Sequence, residues 1–71
     1  MLILIMCDPD GDTYRLSNNM TLMKEKFAEA SRSEYYDRVV LAEVDTDATF
    51  GFGAQGEFFG GEVISDTDDN I

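Results

Sequence analysis

The sequence contains no histidine, only one cysteine, and no lysine or arginine beyond Arg38. Without histidine, the chain lacks the most common general base and the most common ligand of transition metals. Cys7 has no second cysteine to pair with, so no disulfide can form within the chain. No partner that would activate Cys7 is apparent, and no serine stands in a nucleophile-elbow context. We therefore predict a protein that is not an enzyme and uses no cofactor.

Long hydrophobic runs are also missing. The longest apolar run, residues 1–7, is only seven residues long, whereas roughly 20 are needed to span a bilayer. It also lacks the basic region and the cleavage site of a signal peptide. With a single cysteine, the sequence gives no indication of an oxidising compartment. We expect a soluble, cytoplasmic protein in which this run forms a buried strand.

Charge of one sign dominates the chain. The sequence has fifteen acidic residues and five basic ones, which gives a formal net charge of −10. Such a chain is repelled by nucleic acid and by anionic membranes, and is attracted to basic protein surfaces. The predicted partner is therefore a basic protein surface. The candidate contact residues are the acids that follow the last cation: Glu43, Asp45, Asp47, Glu57, Glu62, Asp66, Asp68 and Asp69.

A chain of 71 residues makes one small domain with a thin core. We place this domain at residues 1–64, followed by a mobile acidic tail over residues 65–71. Disulfides, which commonly support very small folds, are absent. A homodimer is therefore expected to complete the core.

The first elements are predicted by local patterns. Residues 2–6 are apolar at every position, as in a strand covered on both faces. Asp8-Pro9-Asp10-Gly11 has the composition of a β-turn, and residues 12–16 read as a second strand of a hairpin. Three possible N-caps, at residues 17–19, precede an amphipathic helix over residues 20–32.

The remaining elements complete an α+β fold. Residues 35–44 are rich in β-branched and aromatic side chains and predict a central strand beside the first one. Two short strands are expected around residues 48–52 and 57–64, where five glycines interrupt the pattern. The predicted order is β-β-α-β-β, with one more strand possible, as a small antiparallel or mixed sheet with the helix on one face.

One helix cannot cover both faces of that sheet. Four phenylalanines concentrate apolar area after residue 49, and we predict that they form a dimer interface or another apolar contact surface. They are Phe50, Phe52, Phe58 and Phe59. The alternative function that they suggest is an apolar adaptor, in which the charges only keep the protein in solution.

A divalent-cation site is a further alternative. Asp8, Asp10 and Asp12 have the spacing that begins an EF-hand loop, but Thr13 and Asn19 stand where glycine and glutamate are required. Two Asp-Thr-Asp triplets, at residues 45–47 and 66–68, could also supply oxygen ligands. Residues 8–13 resemble the nucleophile motif of haloacid-dehalogenase-like phosphatases, but the chain has no room for the lysine and metal ligands of that family.

The acidic surface itself supports the leading hypothesis. Carboxylates held on a rigid sheet can occupy a groove built for phosphates, where arginine pairs with them in a bidentate manner. In size and charge the chain resembles the small acidic proteins by which phages and mobile elements block nucleic-acid-handling enzymes. We therefore predict an inhibitor of the nucleic-acid-mimic type.

Overall fold

The chain folds into six strands and one helix within the part that the structure, a computed structural model, describes: residues 1–45, 47 and 49–67. In chain order the elements are β1 (Leu2–Asp8), β2 (Gly11–Ser17), α1 (Met20–Arg32), β3 (Arg38–Val44), β4 (Gly51–Phe52), β5 (Phe58–Phe59) and β6 (Gly61–Asp66). A four-stranded sheet has the order β2-β1-β3-β6, and every neighbouring pair is antiparallel. The α+β prediction is confirmed, and the region of short strands contains three strands.

The β1–β2 hairpin closes through the predicted turn. Asp8 and Gly11 are the last paired residues of the two strands, and the Asp10 amide donates to the Asp8 carboxylate over 2.8 Å. Gly11 has a φ of +144°, a conformation that other residues rarely adopt. The turn is therefore fixed by the aspartate side chain and by the glycine backbone together.

Helix α1 begins and ends where the sequence predicts. The Asn19 side chain accepts the Leu22 amide hydrogen over 3.0 Å and caps the first turn. On the face turned to the sheet, Met23 and Ala30 are buried and Phe27 is partly buried. They pack on side chains of β1 and β3: Leu2, Leu4, Val39 and Leu41. Among the described residues, no helix is long and apolar enough to cross a membrane.

The opposite face of the sheet is covered by the phenylalanine segment of the same chain. Phe50, Phe52 and Phe58 pack on a second group of buried side chains. These are Ile3, Ile5, Val40, Ala42 and Val44. Phe59 stays 46% exposed. Three of the four phenylalanines thus complete the core within one chain. A second subunit is therefore not needed to cover this face of the sheet. The homodimer itself stays a prediction.

Strand β6 extends past the boundary expected at residue 64. Ser65 and Asp66 pair with Leu41 and Val40 of β3. Thr67 follows them, and it exchanges two hydrogen bonds with Val39: its hydroxyl accepts the Val39 amide hydrogen at 2.9 Å, and its amide donates to the Val39 carbonyl at 3.0 Å. The start of the predicted tail therefore belongs to the sheet. The rest of it, residues 68–71, lies outside the described residues.

Candidate acidic surface

Two glutamates of the predicted contact set face each other across neighbouring strands. Glu43 of β3 and Glu62 of β6 are direct register partners, and both are exposed. Side chains at such positions have Cβ atoms about 5 Å apart, and like charges placed there are destabilising. Because Glu43 follows Leu41 at two-residue spacing, the pair lies on the face of the sheet that carries α1.

A third carboxylate joins this pair at the same end of the sheet. Glu43, Asp45 and Glu62 line a shallow depression of about 240 Å³. Its floor includes Gly60 and Gly61, which add no side chains. We call this depression the acidic surface. Three of the predicted contact residues are therefore brought together at one end of the sheet.

The other predicted contact residues are placed differently. Asp47 is exposed in a turn after β3. Glu57 lies in the loop of the β4–β5 hairpin, where its carboxylate accepts the Gln55 amide hydrogen over 3.1 Å. Asp66 is turned into an ion pair in the fold. Asp68 and Asp69 lie outside the described residues.

Arg38 organises a polar cluster that the sequence did not suggest. Its guanidinium donates to Asp66 in a bidentate manner, with distances of 3.1 Å and 2.6 Å, and also donates to the Gly56 carbonyl over 2.6 Å. The guanidinium carbon lies 4.9 Å from the centroid of the Phe52 ring. The side chains of Arg38 and Asp66 are only 19% and 10% exposed. Arg38 therefore connects β3, β6 and the β4–β5 hairpin. Asp66 is engaged within the fold and is not a surface carboxylate.

Cys7 lies close to the same cluster. Burial, followed by the charge of the neighbouring Asp12 carboxylate and by the hydrogen bond that this carboxylate accepts, raises the pKa of the Cys7 thiol to about 11. A thiol needs a depressed pKa to serve as a nucleophile at neutral pH. Cys7 is therefore a structural residue, in line with its apolar sequence context.

We expect Cys7 to resist alkylation. At pH 8 a thiol whose pKa has risen from 9.0 to about 11 holds about a hundredfold less thiolate than an unperturbed one. Iodoacetamide should therefore modify the native protein at least that much more slowly than the urea-unfolded protein, as followed by mass spectrometry. The pKa of Cys7 is higher in the folded state than in the unfolded state. The contribution of the Cys7 thiol to the free energy of unfolding is therefore complete below pH 9, and it is lost as the pH rises through about 11. Equal alkylation rates in the two states would contradict this assignment.

The candidate cation ligands Asp8, Asp10 and Asp12 do not converge. The Asp8 carboxylate is engaged by the Asp10 amide in the turn, while Asp12 lies across the strand pair from Cys7. No group of three or more histidine, cysteine, aspartate or glutamate side chains in the described part of the chain could hold a metal ion. The Asp-Thr-Asp triplets are only partly within the described residues.

Comparisons with protein-family models, with curated proteins and with solved structures give no match to this chain. Function must therefore be inferred from the residues themselves.

Proposed function

We propose that the protein is a non-enzymatic binding protein whose acidic surface docks on a basic surface of a nucleic-acid-handling protein. It inhibits this partner by occupying the partner's nucleic-acid site. The observation that carries the proposal is the Glu43–Glu62 register pair. A repulsive pair at this position weakens the sheet slightly. A guanidinium or ammonium group of a partner, placed between the two carboxylates, turns the repulsion into two favourable contacts.

The surroundings of the pair support the same function. Asp45 adds a third negative charge to the depression, and among the described residues no lysine or arginine lines it. Arg38 itself is engaged with Asp66. The two strands fix the backbone of the two glutamates, so little backbone freedom is lost on binding. Long-range attraction by the net charge of −10 accelerates the encounter with a basic partner.

The apolar-adaptor alternative has less support from the fold. Phe50, Phe52 and Phe58 pack on the sheet and are engaged in the core. Only Phe59 of that group stays exposed. An adaptor would therefore depend on residues other than the phenylalanines that suggested it.

The double variant Glu43→Gln/Glu62→Gln separates function from folding. Removing the repulsion should stabilise the fold by a few tenths of a kcal/mol in urea unfolding. The same change should lower the capture of nucleic-acid-handling proteins by at least about tenfold, the equivalent of one lost charge-assisted contact. The assay passes the heparin-binding fraction of a host lysate over the immobilised protein and elutes it with graded salt or with short duplex DNA.

The matched control is Glu25→Gln/Glu34→Gln, which removes the same charge at two exposed positions outside the acidic surface. This control should leave capture nearly unchanged. Proteins that duplex DNA cannot displace, or capture that is equal for both double variants, would refute the proposed mimicry.

A further inference from the structure

The four-stranded sheet has two edges, β2 and β6, and they differ in character. All seven β2 residues pair with β1 in an unbroken register. The strand has no proline and no bulge, two of the features that protect an edge from pairing with another chain. Its outer side therefore offers backbone donors and acceptors along the length of the strand.

Strand β2 also carries exposed apolar side chains. Tyr14 and Leu16, on the phenylalanine-covered face, are 59% and 50% exposed. On the helix face, Arg15 and Lys26 line a groove between β2 and α1. Lys26 pairs with Glu29, so Arg15 is the cation that this edge offers to a partner.

Strand β6 has the complementary properties. Val63 is 46% exposed and shares its face of the sheet with Leu16, because their register partners Ala42 and Ile3 both belong to that face. Glu62 shares the helix face with Arg15. One edge therefore presents an apolar residue beside a cation, and the other an apolar residue beside an anion.

The strand directions allow the two edges to meet. Since β2 and β3 are both antiparallel to β1, and β6 is antiparallel to β3, β6 also runs antiparallel to β2. A second copy that is displaced sideways and turned by the accumulated twist of the sheet, about 20–25° per strand, thus places its β6 antiparallel to β2 of the first copy. The helices of both copies then lie on the same face of the continued sheet.

At that position the side chains match. The register runs from Leu16 through Ile3 and Ala42 to Val63, so Leu16 lies level with Val63 of the neighbouring copy. Arg15 is then a diagonal neighbour of Glu62 in that copy, at a distance of about 7–8 Å that a long side chain spans. We infer that the β2 edge binds the β6 edge of a second copy, which continues the sheet in a head-to-tail manner.

Two features keep this association weak. Ile64 is an extra residue that interrupts the β6 ladder opposite Leu41 and Ala42, so the contact is centred on the short stretch before it. The net charge of each copy also opposes association, although at an ionic strength of about 0.15 M charges more than roughly 8 Å apart are largely screened. Because the contact is heterologous, it forms chains or rings and not closed pairs.

The test is sedimentation velocity from micromolar to millimolar protein at that ionic strength. The average mass of the natural protein should rise with concentration. Leu16→Lys blocks the β2 edge and Val63→Lys the β6 edge, and each change should weaken self-association at least about tenfold. Each change also lowers the net negative charge, so electrostatic repulsion between copies cannot explain the loss. Tyr35→Lys, at an exposed site on neither edge, should behave like the natural protein.

The decisive sample is the equimolar mixture of the two blocked variants. Leu16→Lys retains a working β6 edge and Val63→Lys a working β2 edge, so the mixture should form heterodimers and stop there. As a second series, Arg15→Glu and Glu62→Arg should each weaken association, and the two together in one chain should restore it. A natural protein that stays monomeric at millimolar concentration would overturn the inference. So would full association of Val63→Lys alone, which would indicate pairing of β2 with β2, or a mixture that stays monomeric.

Discussion

Replacing Arg38 by methionine is expected to destabilise the protein by about 3 kcal/mol, the lower end of the usual effect for a buried ion pair, because this pair is partly buried. Methionine keeps an apolar stem over Phe52 but leaves the Asp66 carboxylate, which is 10% exposed, without its bidentate partner. The Gly56 carbonyl loses its donor at the same time. Urea unfolding measures this effect directly.

The control for Arg38 is Lys26→Met. Lys26 pairs with Glu29 at 3.7 Å on the exposed surface of α1, where ion pairs contribute little. Arg38→Lys should have an intermediate effect, because a lysine cannot reproduce the planar fork. The double variant Arg38→Met/Asp66→Leu should be more stable than the single Arg38→Met variant, because it leaves no buried charge without a partner. If Arg38→Met were no more harmful than Lys26→Met, the assigned role of Arg38 would be wrong.

Gly60→Ala is the second change with a large expected effect, about 3 kcal/mol or more. Gly60 has a φ of +96°, which costs an L-residue about 1–2 kcal/mol. A methyl group there would also collide with the Thr49 carbonyl oxygen and would lie 2.7 Å from the Phe50 Cα. These contacts are with backbone, so the hairpin would have to shift away from the sheet.

Gly56→Ala is the matched control in the same hairpin. Its φ of +84° gives a comparable backbone cost, but the nearest atom to an added Cβ would be an Arg38 nitrogen at an ordinary 3.6 Å. Thermal unfolding should therefore separate the two variants, with Gly60→Ala the less stable one. Equal losses would show that conformational strain alone matters at these positions. Increased binding of a hydrophobic dye by Gly60→Ala would indicate that the face of the sheet covered by the phenylalanines has become exposed.

Local signals account for the parts of the fold that sequence reasoning predicted. The unbroken apolar run before Cys7, the turn that follows it and the Asn19 cap each act within a few residues. They therefore specify β1, β2 and α1 without knowledge of the rest of the chain. The length of β3 was overestimated at its start, because Tyr35 and Tyr36 have strand-like composition but lie in the connection after α1.

Long-range contacts determine the features of the fold that the sequence pattern does not predict. Arg38 and Asp66 are 28 residues apart, and no local pattern links them. The covering of the second face was missed for the same reason, since Phe52 and Phe58 lie among glycines that disguise the hairpin. The Glu43–Glu62 pairing could not be predicted either, because the Ile64 bulge shifts the register of β6. Sequence reasoning therefore identified the acidic residues but not which of them meet.

The position of the phenylalanine segment also determines how a shortened chain would behave. A chain cut before Phe50 would retain β1, β2, α1 and β3 but would leave Ile3, Ile5, Val40 and Val44 open to solvent. Such a fragment would present an apolar face to its neighbours, as aggregating, partly folded proteins do. The phenylalanine segment therefore protects this molecule against aggregation through that face.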